Sequence, residues 1–196
     1  MSSPSLYRAA VADAVVIPGR MFGPGAGLLM YAGLVAERRG ASVHRHWWSR
    51  EPPGGHGEQT GNMVREEITG VVEAIGGNPL LIGKSLGTLA ASVAAERAVP
   101  AVWLTPLLTV PQAVVALEQA TAPFLLAGGT ADGSWDGDLA RRLTPHVLEV
   151  EGADHGMCVP GPLSDSIMVL GQLISAMENF LDAIGWPERN DLKNPP

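Results

Sequence analysis

One cysteine, Cys158, is present in 196 residues, so the chain can form no internal disulfide and no cysteine-rich zinc site. Basic residues are also scarce, with 13 Lys and Arg against 20 Asp and Glu and a formal net charge of −7. They are scattered as well, Arg38-Arg39 being the densest pair, whereas a nucleic-acid partner calls for a clustered basic face. No segment approaches eighteen uninterrupted apolar residues, which argues against a membrane-spanning helix and a membrane partner. Met1 to Arg8 carries no basic patch followed by an apolar run, so no secretory leader is read there and a cytoplasmic location is expected. Internal repeats and low-complexity tracts are lacking too.

What remains is the composition of a folded domain. Apolar residues make up 46% of the chain, charged residues 17%, and the mean hydropathy is +0.14. The length suits one hydrophobic core. Short β-branched runs alternate with longer amphipathic segments, the pattern of a parallel sheet covered by helices. Strands are expected at 14–17, 42–48, 79–82, 101–104, 123–127 and 147–150. Helices are expected at 25–39, 62–75, 86–99, 111–119 and 163–184. Segment 51–61, with two prolines and four glycines, reads as a loop. The last helix should bury Ile167, Leu170, Leu173, Ile174, Met177 and Leu181. One domain over 1–185 is expected, and the Pro-rich polar stretch 186–196 as a flexible tail.

Gly83-Lys84-Ser85-Leu86-Gly87 directly follows an expected strand and opens directly into a helix. An ordinary Gly-rich turn shares the pattern, so the placement matters more than the letters. At such a turn the serine is held in a strained backbone, and glycines two positions either side let neighbouring chain pass. The free N–H groups and positive end of the helix then point toward any oxyanion that forms near Ser85.

On this motif and its setting the chain resembles the α/β-hydrolase superfamily over nearly its whole length. The resemblance implies a three-layer α/β/α sandwich, a mostly parallel sheet of about six strands, and a nucleophile, an acid and a histidine in that order along the chain. Gly128-Gly129-Thr130-Ala131-Asp132, ending a strand, is similar to the acid loop of many small members. Asp132 would accept the Nδ1–H of a histidine and stabilise its imidazolium. Asp136 and Asp138 are rivals, but near a helix start a carboxylate more often caps or faces solvent. Gly152-Ala153-Asp154-His155-Gly156, after the last strand, resembles the histidine loop. His155 would act as base and then acid, with Asp154 as a turn residue. His44, His46, His56 and His146 fall in less suitable places.

The superfamily often has His-Gly after the first strand, with the next backbone N–H facing the nucleophile. Pro18-Gly19 stands there in this chain, which leaves Arg20 or Met21 as one oxyanion donor and Leu86 as the other. Trp47, Trp48, Trp103 and Trp135 all fall at or just after carboxyl ends of expected strands and would form a rim around Ser85, joined by Phe22, Met21 and Met157. Packing between helices and sheet is the alternative for each tryptophan. The segment from Thr105 to Pro111 is too short for a lid, so the resemblance is to compact cap-less esterases and dienelactone-hydrolase relatives.

The leading expectation is therefore hydrolysis of a small-molecule ester or thioester, with an apolar or aromatic acyl part, through an acyl-Ser85 intermediate. It requires no metal or organic cofactor, and the chain would work as a monomer or homodimer. Two other classes stay open: a lyase, cyclase or acyl transferase on the same scaffold, and a binding module that kept the fold without the activity.

Overall fold

Six short apolar runs pair side by side in one parallel sheet. The computed structural model describes residues 12–25 and 27–187. The strands are β1 (Ala12–Ile17), β2 (Ala41–Arg45), β3 (Leu80–Lys84), β4 (Ala101–Leu104), β5 (Phe124–Gly129) and β6 (Val147–Val150). Their spatial order is β2-β1-β3-β4-β5-β6, and every neighbouring pair is parallel. β1, β3, β4 and β5 are buried along most or all of their length, as expected of a sheet covered on both faces.

Side chains alternate across the sheet with period two. Val16, Ile82, Leu104 and Ala127 share one core with α1 (Gly27–Arg38) and α6 (Leu163–Ala183). Ile17, Leu81, Trp103 and Leu126 share the opposite core with α2 (Glu58–Ile75), α3 (Ala91–Arg97) and α4 (Pro111–Glu118). Ala140 of α5 (Gly137–Leu143) joins the second core. The chain leaves β1 for β2 on one side and returns to β3 on the other. The crevice at the carboxyl ends of β1 and β3 is thus the switch point, where open α/β sheets bind ligands.

Several expected boundaries move, each for a local reason. β2 stops at Arg45, leaving Trp47 and Trp48 beyond it, although His46 N–H still donates to Val16 O at 3.0 Å. Helix α2 begins at Glu58 and takes in Gly61; a Cβ there would press on the Gln112 side chain, which donates to His56 O and Gly57 O. The turn after β3 is a 3-10 segment, Ser85–Ala90, before α3 begins. Ile167 is 60% exposed rather than inward.

Trp186 corrects the reading of the tail. Gly185, with φ 65°, reverses the chain, its N–H donating to Asp182 O and that of Trp186 to Leu181 O. This is the Gly-stopped helix end in which the following apolar side chain folds back. Trp186 is accordingly buried against α1 and α6, and Arg39 donates to its carbonyl at 3.2 Å. Positions 1–11 and 188–196, including the rest of the expected tail, lie outside the described residues. No described helix is long and apolar enough to cross a membrane.

Candidate active site

The turn between β3 and α3 holds Ser85 at φ 52°, a left-handed conformation that side chains other than glycine rarely take. The flanking glycines explain how it is tolerated. A Cβ on Gly83 would lie 2.6 Å from the Trp103 ring and 2.9 Å from Gly87 O, and one on Gly87 would lie 2.7 Å from Ile17 O. Both glycines are therefore demanded by close approach.

Three loops at the same edge of the sheet bring the expected side chains together. His155 Nε2 lies 2.8 Å from Ser85 Oγ, and His155 Nδ1 lies 2.7 Å from Asp132 Oδ2. The other oxygen of Asp132 accepts the Ser134 N–H at 2.9 Å. Burial pushes the Asp132 carboxyl up, but the hydrogen bonds from His155 and Ser134 N–H, with the nearby Lys84 charge, outweigh it and hold the group below its ordinary range. It stays an acceptor near neutral pH. The acid and histidine loops are backed against each other: Ala131 N–H donates to Ala153 O, and a Cβ on Gly129 would collide with Ala153.

The rivals have other partners. Asp136 caps α5 by accepting Leu139 N–H, and Asp138 pairs with Arg141 on the surface. Asp154 accepts Gly156 and Cys158 N–H groups, as a turn residue should. His44 pairs with Asp13, His46 with Glu67, and His146 packs edge-on against Phe180. His56 sits closer: burial, Arg20 and His155 all lower its pKa.

Lys84 precedes Ser85 in the turn, and the motif gives its side chain no partner. Its Nζ donates to Thr105 Oγ1 and to the His155 backbone carbonyl, both at 3.1 Å. The charged group thereby ties the end of β3 to the histidine loop. Burial lowers its pKa, partly opposed by Asp132 and Asp154. Thr105, fully buried at φ 42°, is the matching anchor at the end of β4. No periodicity or motif in the sequence points to that pairing.

A cleft of about 580 Å3 opens over Ser85 and His155, walled by Arg20, Met21, Phe22, Leu28 and Leu29. Met21 and Phe22 are 82% and 71% exposed. Leu28 and Leu29, the first inward residues of α1, serve both the core and the cleft wall; their place in the first turn after the β1 loop is the signal the sequence holds. Leu86 is fully buried beside Ser85. Gly19 packs directly on Ser85, since a Cβ on it would lie 3.5 Å from Ser85 Cβ.

None of the four tryptophans is among the residues that wall this cleft. Trp103 is buried in the core beneath the turn, because residue 103 faces the α2–α4 side and fills the space left by Gly83. Trp135 packs over Gly128 and donates its indole N–H to Glu149 at 2.7 Å, bracing the acid loop. Trp48 is half-buried against the α2–α4 core and donates to Gly19 O at 3.1 Å. Trp47 is exposed, with its ring lying against Gly23 of the cleft wall. Met157 is buried with α1 and α6. Among the described residues no group of three or more His, Cys, Asp or Glu gathers to hold a metal ion.

No family model matches the chain, and no curated protein matches it either. Solved structures do. Est1E from Butyrivibrio proteoclasticus superposes with a TM-score of 0.67 at 10% identity, covering 92% of this chain and 91% of that one. A lid-less α/β serine hydrolase from Xanthomonas campestris gives 0.60 at 14% identity over 93% and 86%. A monoacylglycerol lipase from Paleococcus ferrophilus gives 0.59 at 19% identity over 84% and 94%. The chain thus has the α/β-hydrolase fold in a small form without a lid.

Proposed function

We propose that the chain is a serine hydrolase that cleaves a small-molecule ester or thioester through an acyl-Ser85 intermediate. The observation that carries this reading is the unbroken chain of contacts, 2.8 Å from Ser85 Oγ to His155 and 2.7 Å from His155 to Asp132, on a serine held at positive φ. His155 Nε2 takes the Ser85 proton as Oγ attacks the carbonyl carbon, and Asp132 stabilises the imidazolium. The oxyanion is met by Leu86 N–H and a second N–H from Arg20 or Met21. His155 then protonates the leaving alcohol or thiol, and water, activated by the same nitrogen, releases the acid. No cofactor enters the scheme.

The walls formed by Met21, Phe22, Leu28 and Leu29 favour an apolar or aromatic acyl part. Likeness to Est1E, solved with ferulic acid bound, fits that choice of substrate. The test is labelling with an alkyl fluorophosphonate. One adduct per chain on Ser85, abolished in Ser85→Ala and slowed in His155→Ala, supports the reading. Folded wild type that takes up no label contradicts it.

A further inference from the structure

Trp48 was expected to touch substrate, yet its indole turns away from the cleft toward the core beside α2. Its N–H instead reaches the carbonyl of Gly19 at 3.1 Å. Gly19 is the residue whose Cα packs on Ser85, and its carbonyl belongs to the same peptide plane as the Arg20 N–H. In a trans peptide these two groups point in opposite directions. Holding the carbonyl back toward the core therefore turns the Arg20 N–H the other way, toward the cleft.

The rest of the loop is held in the same sense. The Arg20 guanidinium donates to Pro52 O at 2.7 Å, Pro53 O at 2.6 Å and Gly55 O at 2.5 Å, so residue 20 is anchored by its side chain as well. Met21, one residue on, is 82% exposed. Trp48 is itself clamped from both sides by one carboxylate. Glu67 of α2 lies 3.0 Å from His46 Nε2 and accepts both Ser49 N–H at 3.1 Å and Ser49 Oγ–H at 2.7 Å. The His46 ring meets the Trp48 ring edge-on at 4.8 Å.

The geometry points to Trp48 as a positioning residue that fixes the Gly19–Arg20 peptide, so that the Arg20 N–H, not that of Met21, receives the oxyanion. This rests on the hydrolase reading above. A donor preorganised in this way acts when charge develops on the substrate oxygen and contributes little to ground-state binding. Its loss belongs in kcat.

The test replaces Trp48 with 3-benzothienylalanine, which keeps the size and shape of the ring and removes only the N–H, and compares it with Trp48→Phe. With p-nitrophenyl butyrate as substrate, kcat falls about 10- to 100-fold in the isostere while KM stays within about twofold. Affinity for a trifluoromethyl ketone, whose carbonyl carbon is attacked by Ser85 Oγ to give a hemiketal oxyanion as His155 takes the Oγ proton, falls in step with kcat. Should Trp48→Phe fail to fold, the isostere decides alone. An isostere as fast as wild type, or one whose loss lies wholly in KM, overturns the assignment. Ser85→Ala is the control for the underlying reading: if it hydrolyses the ester at the wild-type rate, the hydrolase reading fails and takes this one with it. If Ser85→Ala is inactive and the isostere is unimpaired, the positioning role of Trp48 alone falls.

Discussion

The turn at 83–87 and the wall at 19–23 and 27–29 meet at one cleft, and they are built in opposite ways. The turn is nearly sealed, with Gly83, Leu86 and Gly87 buried and Trp103 packed beneath. The backbone on either side of Ser85 is fixed by close approach at Gly83 and Gly87. The wall carries the most exposed apolar side chains of the cleft, Met21 and Phe22, on a loop held through its backbone by Trp48 and through the Arg20 side chain. On the proposed reading, chemistry falls where packing is tightest. On the same reading, substrate contact falls where side chains can change without disturbing the core.

The largest effect that this contrast predicts is at the nucleophile. Ser85→Ala or His155→Ala should lower kcat for p-nitrophenyl butyrate by about 10^4-fold or more with the fold intact by circular dichroism. Next is the support under the turn. Trp103→Ala should cost about 3–5 kcal/mol in urea unfolding, whereas a rim tryptophan would have changed KM with little loss of stability. Lys84→Met should lower kcat about tenfold by freeing the His155 loop, since the charged hydrogen bonds to Thr105 and to the His155 carbonyl are both lost. If Lys84→Met is unimpaired, the tie between β3 and the histidine loop has no catalytic weight. The smallest effect belongs to the wall: Phe22→Ser should raise KM for butyrate over acetate esters by roughly two- to tenfold, leaving stability unchanged.

A pH series sharpens the comparison from the buried side. The folded-state pKa of Asp132 is depressed, so its contribution to stability is complete above its unfolded value, about 4, and is lost as pH falls through the lower folded value. The difference in unfolding free energy between wild type and Asp132→Asn should hold steady above that range and shrink below it. A difference that grows on acidification would mean that the carboxyl is not held ionised by His155 and Ser134.

How much of this was legible in the sequence follows the same division. The Ser85 turn was readable because its strand, its two glycines and its helix are contiguous, and the constraint is local. Asp132 and His155 could be named because each follows a recognisable strand. The tryptophans misled because their fate depends on which face of the sheet they meet. Position 103 lies at the carboxyl end of β4 like a rim residue, yet its parity sends it into the α2–α4 core. Lys84 with Thr105, and Trp48 with Gly19, join segments 21 and 29 residues apart. Nothing local in either segment reports the partner. Gly185-Trp186 was legible in principle as a glycine-stopped helix end, and the Pro-rich run after it obscured the signal.

The most direct test of the central claim is to quench the protein with acid during turnover of p-nitrophenyl butyrate and map the acyl group by peptide mass spectrometry. The account predicts a butyryl group on Ser85 in wild type, absent from Ser85→Ala. Full turnover with no acyl group on Ser85, or an acyl group on some other side chain, would contradict it.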